Sequence, residues 1–345
     1  MSNMTVSEHV EAVARLAPFE LAAGWDPVGL QLGDPNSPVE LVAVCHEVTH
    51  DVVEAAVGRE VDLLVSYHPL LFRPTTRLVA GASAAGRAHR LVSAGVALGI
   101  VHTAFDVAPG GTADALAETL GLHQHRGFGP LWSAGHVSVS IHAPTEATAG
   151  VLDALDSIDP QTTPCRTTTR VVVDAGEEQQ RVDVVVPERL TDAVVAAIVA
   201  AHPDARPHFQ VVEARADAGF VGRVGALDAP TSLNDLVGSV DTALGVSSRV
   251  APSNGSPSVE RLAVLPGSGG SFVHAAAAAG ADVLVTGDVS HHEARAANEL
   301  GLSVIDPGHS PTEFPGVAKL YAAVSAIGTE AVDLTTVDAN PWEAN

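Results

Sequence analysis

The sequence predicts an α/β protein of two related lobes with a smaller α+β segment between them, and three observations carry that expectation. Apolar runs of strand length alternate with helical stretches over residues 40–103, as in a parallel sheet covered by helices. The same order recurs over 261–310, where Asp282-Val283-Leu284-Val285-Thr286 aligns with Asp62-Leu63-Leu64-Val65-Ser66, each followed within a few residues by histidine. Between these stretches the rhythm changes to the apolar/polar alternation of half-buried strands.

Taken in order, Thr5 and Glu8 form a capping box that starts a first helix. ELVAVCHEVT (40–49), VDLLVSYHP (61–69) and GVALGIVHT (95–103) read as strands, with helices near 51–58 and 84–94. From HVSVSIHAP (136–144) to HFQVVEA (208–214), alternating strands flank two helices, an insert with no evident chemistry whose His142 and His202 read as surface or packing residues. RLAVLPGSGG (261–270), ADVLVTGDVSHH (281–292) and GLSVIDPGHS (301–310) are again strands, with helices at about 271–279 and 292–300. The expected division is therefore 1–133, 134–216 and 217–345.

Composition narrows the partners. The chain has 345 residues, 18 Lys and Arg against 41 Asp and Glu, and a net charge of -23, which argues against nucleic acid as a partner because displacing its counterions needs clustered cations. Cys45 and Cys165 are too few for a disulfide framework or a thiolate metal site, as expected of a reducing compartment. The amino-terminal stretch lacks a basic start followed by an apolar core, and no run reaches the roughly 18 apolar residues of a membrane span. A cytoplasmic protein is expected.

Four polar clusters sit at carboxyl ends of predicted strands, where loops of open α/β sheets converge. They supply His68; His102 and Asp106; His291, His292 and Glu293; and His309 and Glu313. Two of them repeat a histidine followed four residues later by a carboxylate. Imidazole and carboxylate without thiolate suit zinc, iron, manganese or cobalt, and a carboxylate can bridge two ions that clamp a substrate and activate water. Each histidine alone is more often a hydrogen-bonded turn residue; it is the joint occurrence that points to metal. Glu293 reads as a solvated helix residue, and His46 and His50 as exposed. LPGSGGS reads as a tight turn at least as readily as an anion cradle, since it lacks the ending of a P-loop.

GWDPVGLQLGDP (24–35), SYHPLLFRP, HTAFDVAPGGTADALAETLGL (102–122), LPGSGGS, TGDVSHHEA and GHSPTE together resemble the NIF-three-like family, known also as GTP cyclohydrolase 1 type 2 homologues. The resemblance covers nearly the whole chain. It implies a hexameric toroid of α/β subunits with a dinuclear metal centre in a cleft between two lobes, and a PII/CutA-like insert at 134–216. By position it implies His68, Asp106, His309 and Glu313 as ligands, with Asp106 and Glu313 bridging. Many members carry two adjacent histidines where this chain has Tyr67-His68, and a phenol of ordinary pKa about 10 is a poor ligand. Cys45-His46-Glu47-Val48-Thr49 also departs from the usual Leu-Asp-Val-Thr, leaving Glu47 in place of aspartate.

Two functions are consistent with these residues. One is a metal-dependent hydrolase of the cyclohydrolase type acting on a small molecule, with His102 and His292 transferring protons. The other is a non-catalytic protein that stores, delivers or senses metal.

Overall fold

Asp62 shows how the first sheet is assembled. In the computed structural model its Oδ2 accepts the backbone N–H groups of Glu40 at 2.8 Å and Leu41 at 3.0 Å, tying the start of the strand Leu41–Cys45 to its neighbour Leu63–Ser66. Asp282 does the same in the second sheet, accepting from Glu260 at 2.9 Å and Arg261 at 2.8 Å. The sequence recurrence thus corresponds to one repeated hydrogen-bonding device. The structure describes residues 4–132, 136–156, 158, 165–172, 178–204, 207–214, 217–253, 258–337 and 340–342.

The first sheet has five strands in the order Gly29–Leu32, Ala97–Ile100, Leu63–Ser66, Leu41–Cys45, Glu330–Asp333. All pairings are parallel except that of Gly29–Leu32. The second has six, in the order Arg249–Ala251, Ser303–Asp306, Val283–Gly287, Val259–Ser268, Asp217–Thr231, His125–Trp132, with a parallel core formed by Val259–Ser268, Val283–Gly287 and Ser303–Asp306. Every residue of Leu63–Ser66 and Val283–Gly287 is buried, which is why these strands read as continuous apolar runs rather than alternation.

Helices cover the sheets and start on polar caps. Thr5 and Glu8 form the capping box expected of them, and Thr49 and Ser83 cap His50–Gly58 and Ala84–Ser93. Ser290 and Glu293 form a second capping box at His291–Glu299; a cap of this kind contributes about 1 kcal/mol. Glu293 is therefore more than the solvated helix residue its spacing suggested, since its carboxylate accepts the Ser290 N–H at 2.8 Å.

The chain divides into two compact units, 1–131 with 218–345, and 132–217. The second unit is an antiparallel sheet in the order Cys165–Val172, Glu178–Pro187, His136–Pro144, Phe209–Ala214. Its helices Thr148–Asp156 and Thr191–Ala201 contribute Val151 and Ile198 to a core with Val139, Ile141, Val182 and Val184. His202 is buried there and bonds the His142 carbonyl at 3.0 Å, a packing role. Among the described residues no helix is long and apolar enough to cross a membrane.

Candidate metal centre

The polar ends of the parallel strands meet within the first unit. Backbone pairing continues past the assigned strands: the His68 N–H donates to the His46 carbonyl at 2.9 Å, and the His102 N–H donates to the Tyr67 carbonyl at 3.0 Å. These rungs bring His46, Tyr67, His68 and His102 side by side at the end of the first sheet. From the second sheet, Ser303–Asp306 turns through Gly308 into the helix His309–Ser325, whose first turn carries His309 and Glu313 on one face.

Glu313 is the hub. The residue is 3% exposed and its carboxylate meets three imidazoles, His46 Nε2 at 2.7 Å and His68 Nε2 at 3.1 Å on Oε2, and His309 Nε2 at 3.0 Å on Oε1. Two ligands of one ion bound at about 2.1 Å lie roughly 3 Å apart, so this spacing fits a shared cation. His46, His68 and Glu313 place one donor atom each within 4.8 Å of one another. Asp106 is outside that group. It accepts the Tyr67 hydroxyl at 2.5 Å and is close enough to Glu313 for the two charges to oppose each other. The donor set fits a borderline divalent ion: imidazole nitrogens, carboxylate oxygens, and no thiolate, since burial pushes the adjacent Cys45 thiol up to about 12.

Burial and close partners act in opposite directions on the ionisable groups of this cluster. Burial alone would raise Glu313, but the bonds from His309, His46 and His68 outweigh it and hold the carboxyl well below its usual range. Burial lowers His309, yet its bonds to Glu313 and Asp288 raise it to about 9. Burial raises Asp106 to about 6 against the opposing influence of His102 and Tyr67. Burial also lifts the Tyr67 phenol well above 10, with the Asp106 charge adding to it, so Tyr67 serves as a donor to Asp106 and not as an anionic ligand.

The expected residues divide as follows. His68, His309 and Glu313 come together directly, Asp106 lies alongside through Tyr67, and His102 adjoins His68 with ring centroids 5.1 Å apart. His292 is exposed at the start of His291–Glu299, and among the described ring contacts it meets only His291. One expectation is overturned. His46, read as exposed, is 1% exposed and bonded to Glu313, because Tyr67 stacks on it at 5.8 Å and Phe314 covers its edge at 5.4 Å. Glu47, which stands where the usual pattern has an aspartate, is exposed. Asp288 is a further residue the sequence did not single out; it holds His309 Nδ1 at 2.7 Å, fixing the ring so that Nε2 faces Glu313.

LPGSGGS proves to be a close-approach turn serving this site. Gly267 has φ +68°, its N–H donates to Thr312 Oγ1 at 2.8 Å, and a Cβ there would lie 2.6 Å from Glu313 Oε1. Gly267→Ala is expected to displace the Glu313 carboxylate and to cost about 1–2 kcal/mol in backbone strain. Titration of the purified variant with zinc should show affinity lowered at least about tenfold, by analogy with the loss of an orienting partner. Unchanged affinity would mean that the turn has room to spare.

Residues 4–341 match the Duf34/NIF3 (NGG1p interacting factor 3) family. Among curated relatives, "GTP cyclohydrolase 1 type 2 homolog" of Mycobacterium leprae is 30% identical over 376 residues, covering 98% of this chain and 94% of its own. The Listeria innocua protein of the same name is 28% identical over 327 residues, covering 88% of each. Of solved structures, the Bacillus cereus protein related to NIF3 is 27% identical with a TM-score of 0.69, and a Staphylococcus aureus protein is 24% identical with a TM-score of 0.75, each over 100% of both chains. With a family match along almost its whole length, the chain is a member of the Duf34/NIF3 family.

Proposed function

We propose that this chain is a divalent-metal protein with a dinuclear centre, and that it acts as a metal-dependent hydrolase of the kind its relatives' name indicates. The observation that carries this is the convergence of His46, His68 and His309 on the buried Glu313 carboxylate, with Asp106 beside it. His68, Asp106, His309 and Glu313 hold two ions of zinc, iron, manganese or cobalt, and His46 joins them from the first sheet. When bound, such ions supply Lewis-acid polarisation of a substrate oxygen and activation of water. The protein's own part is to hold the donors in place and to keep His102 next to His68 as a proton acceptor. An imidazole that is placed at the centre without touching Glu313 favours catalysis over metal storage, delivery or sensing, which need ligands only. We place the centre between two related lobes, 1–133 and 217–345, with 134–216 as a PII/CutA-like insert in a homohexamer, on the strength of the family resemblance.

Elemental analysis of protein purified without an affinity metal, beside His309→Ala, tests the reading. About two equivalents of one transition metal, lost in the variant, are expected. Absence of metal from the wild type would sink the proposal. Purine ring opening, followed by ultraviolet absorbance with GTP as first probe, then separates hydrolase from carrier. His102→Ala should abolish turnover and keep the metal.

A further inference from the structure

Gly24-Trp25-Asp26 belongs to a motif that the metal centre leaves without a task. The Asp26 side chain is fully enclosed beneath His102, with Oδ1 at 2.9 Å from His102 Nδ1. Its other oxygen, Oδ2, accepts the Thr103 N–H at 3.0 Å and the Thr103 hydroxyl at 2.5 Å. That hydroxyl itself accepts the Ala23 N–H at 3.0 Å, so its proton is committed to Asp26. One carboxylate oxygen thus serves Thr103 and the other serves the imidazole.

An ionised carboxylate only accepts, so Nδ1 must carry the proton, and the neutral ring keeps a lone pair at Nε2. The ring neighbours of His102 are His68 at 5.1 Å and Tyr67 at 5.8 Å, both at the metal centre, while Trp25 stands edge-on at 6.1 Å. The same device operates on the other side, where Asp288 holds His309 Nδ1 and its Nε2 meets Glu313. His102 and Asp288 both have positive φ, at 29° and 55°. Two of the chain's described strained residues therefore belong to these carboxylate–imidazole pairs, as expected where backbone strain is held by a functional arrangement.

We propose that Asp26 is a positioning residue which locks His102 in the Nδ1–H tautomer and presents an unprotonated Nε2 to the metal centre. What that nitrogen accepts rests on the proposed hydrolase; the tautomer does not. In Asp26→Asn the Thr103 N–H still needs an acceptor, so the amide oxygen turns to Thr103 and the amide NH2 to His102. Nδ1 then has to accept, and the proton moves to Nε2. In Ser-His-Asp hydrolases the corresponding exchange gives the wrong tautomer and lowers kcat about 10⁴-fold.

The test is long-range proton–nitrogen NMR of the full chain with ¹⁵N-labelled histidine, loaded with zinc, in buffer alkaline enough to keep the ring neutral. His102 is assigned by its disappearance in His102→Gln. The wild type should show a protonated Nδ1 and a bare Nε2, and Asp26→Asn the reverse, with zinc content equal in both. A wild-type His102 protonated at Nε2, or a tautomer unchanged in Asp26→Asn, would overturn the proposal. Should Asp26→Asn not fold, the wild-type tautomer alone decides. The expected tautomers with no zinc in either protein would uphold the positioning role and refute the metal reading.

Discussion

Glu313→Ala is expected to empty the centre of metal and, compared in the metal-free state, to destabilise the chain by about 3–5 kcal/mol, the usual cost of removing one partner from a buried charge network. Glu313 is 3% exposed and is the common partner of His46, His68 and His309. Its removal takes from His309 the carboxylate that does most to raise it to about 9, and leaves Asp288 as the carboxylate still bonded to that ring. His46 Nε2 loses its partner while its Nδ1 is already buried without one, so the ring would have no hydrogen bond at either nitrogen. Glu313→Gln keeps the volume and removes the charge, and should lose metal with a smaller stability cost. Calorimetric unfolding under chelator separates the intrinsic loss from the additional stabilisation that a bound ion gives by mass action. Wild-type metal content in Glu313→Ala would show that the hub is a hydrogen-bonding residue and nothing more.

The fold was legible because buried parallel strands are apolar throughout and end in polar residues. Leu63–Ser66 and Val283–Gly287 fell inside the runs that predicted them, and the paired aspartates 62 and 282 make matching bonds. His68, His309 and Glu313 were legible for the same reason, each following such a strand, with His309 and Glu313 also four apart on a helix. Local pattern could not reach His46. In Cys45-His46-Glu47 two adjacent polar residues end a strand, and which of them turns inward is decided by Tyr67 and Phe314, neighbours distant in sequence. Asp26 and Asp288 were missed because an orienting carboxylate has no spacing rule relative to its histidine: Asp26 lies 76 residues from His102, and Asp288 lies 21 from His309. Their signal is positional, since Asp288 directly follows the strand Val283–Gly287.

His46→Ala carries the second large effect. The imidazole that this chain lacks at position 67 is available at position 46, where the ring stacks on Tyr67 within 12° of parallel and points Nε2 at Glu313 Oε2, 2.7 Å away. Tyr67 is committed to Asp106 and makes no demand on the ion. If His46 is a direct donor, its loss should weaken zinc binding by more than the 10–100-fold typical of removing an orienting partner one layer out. Tyr67→Phe removes only a hydrogen bond to Asp106 and should fall within that 10–100-fold range. His46→Ala also opens a cavity among buried neighbours, so stability should fall by about 2–5 kcal/mol, as for other large-to-small changes in packed sites. His46→Gln refills most of that volume with a side chain that lacks the imidazole lone pair. A Gln variant that recovers stability without recovering zinc affinity separates ligation from packing. Zinc affinity in His46→Ala equal to that of Tyr67→Phe would reduce His46 to a packing residue. The ion would then rest on His68, His309, Asp106 and Glu313 without it.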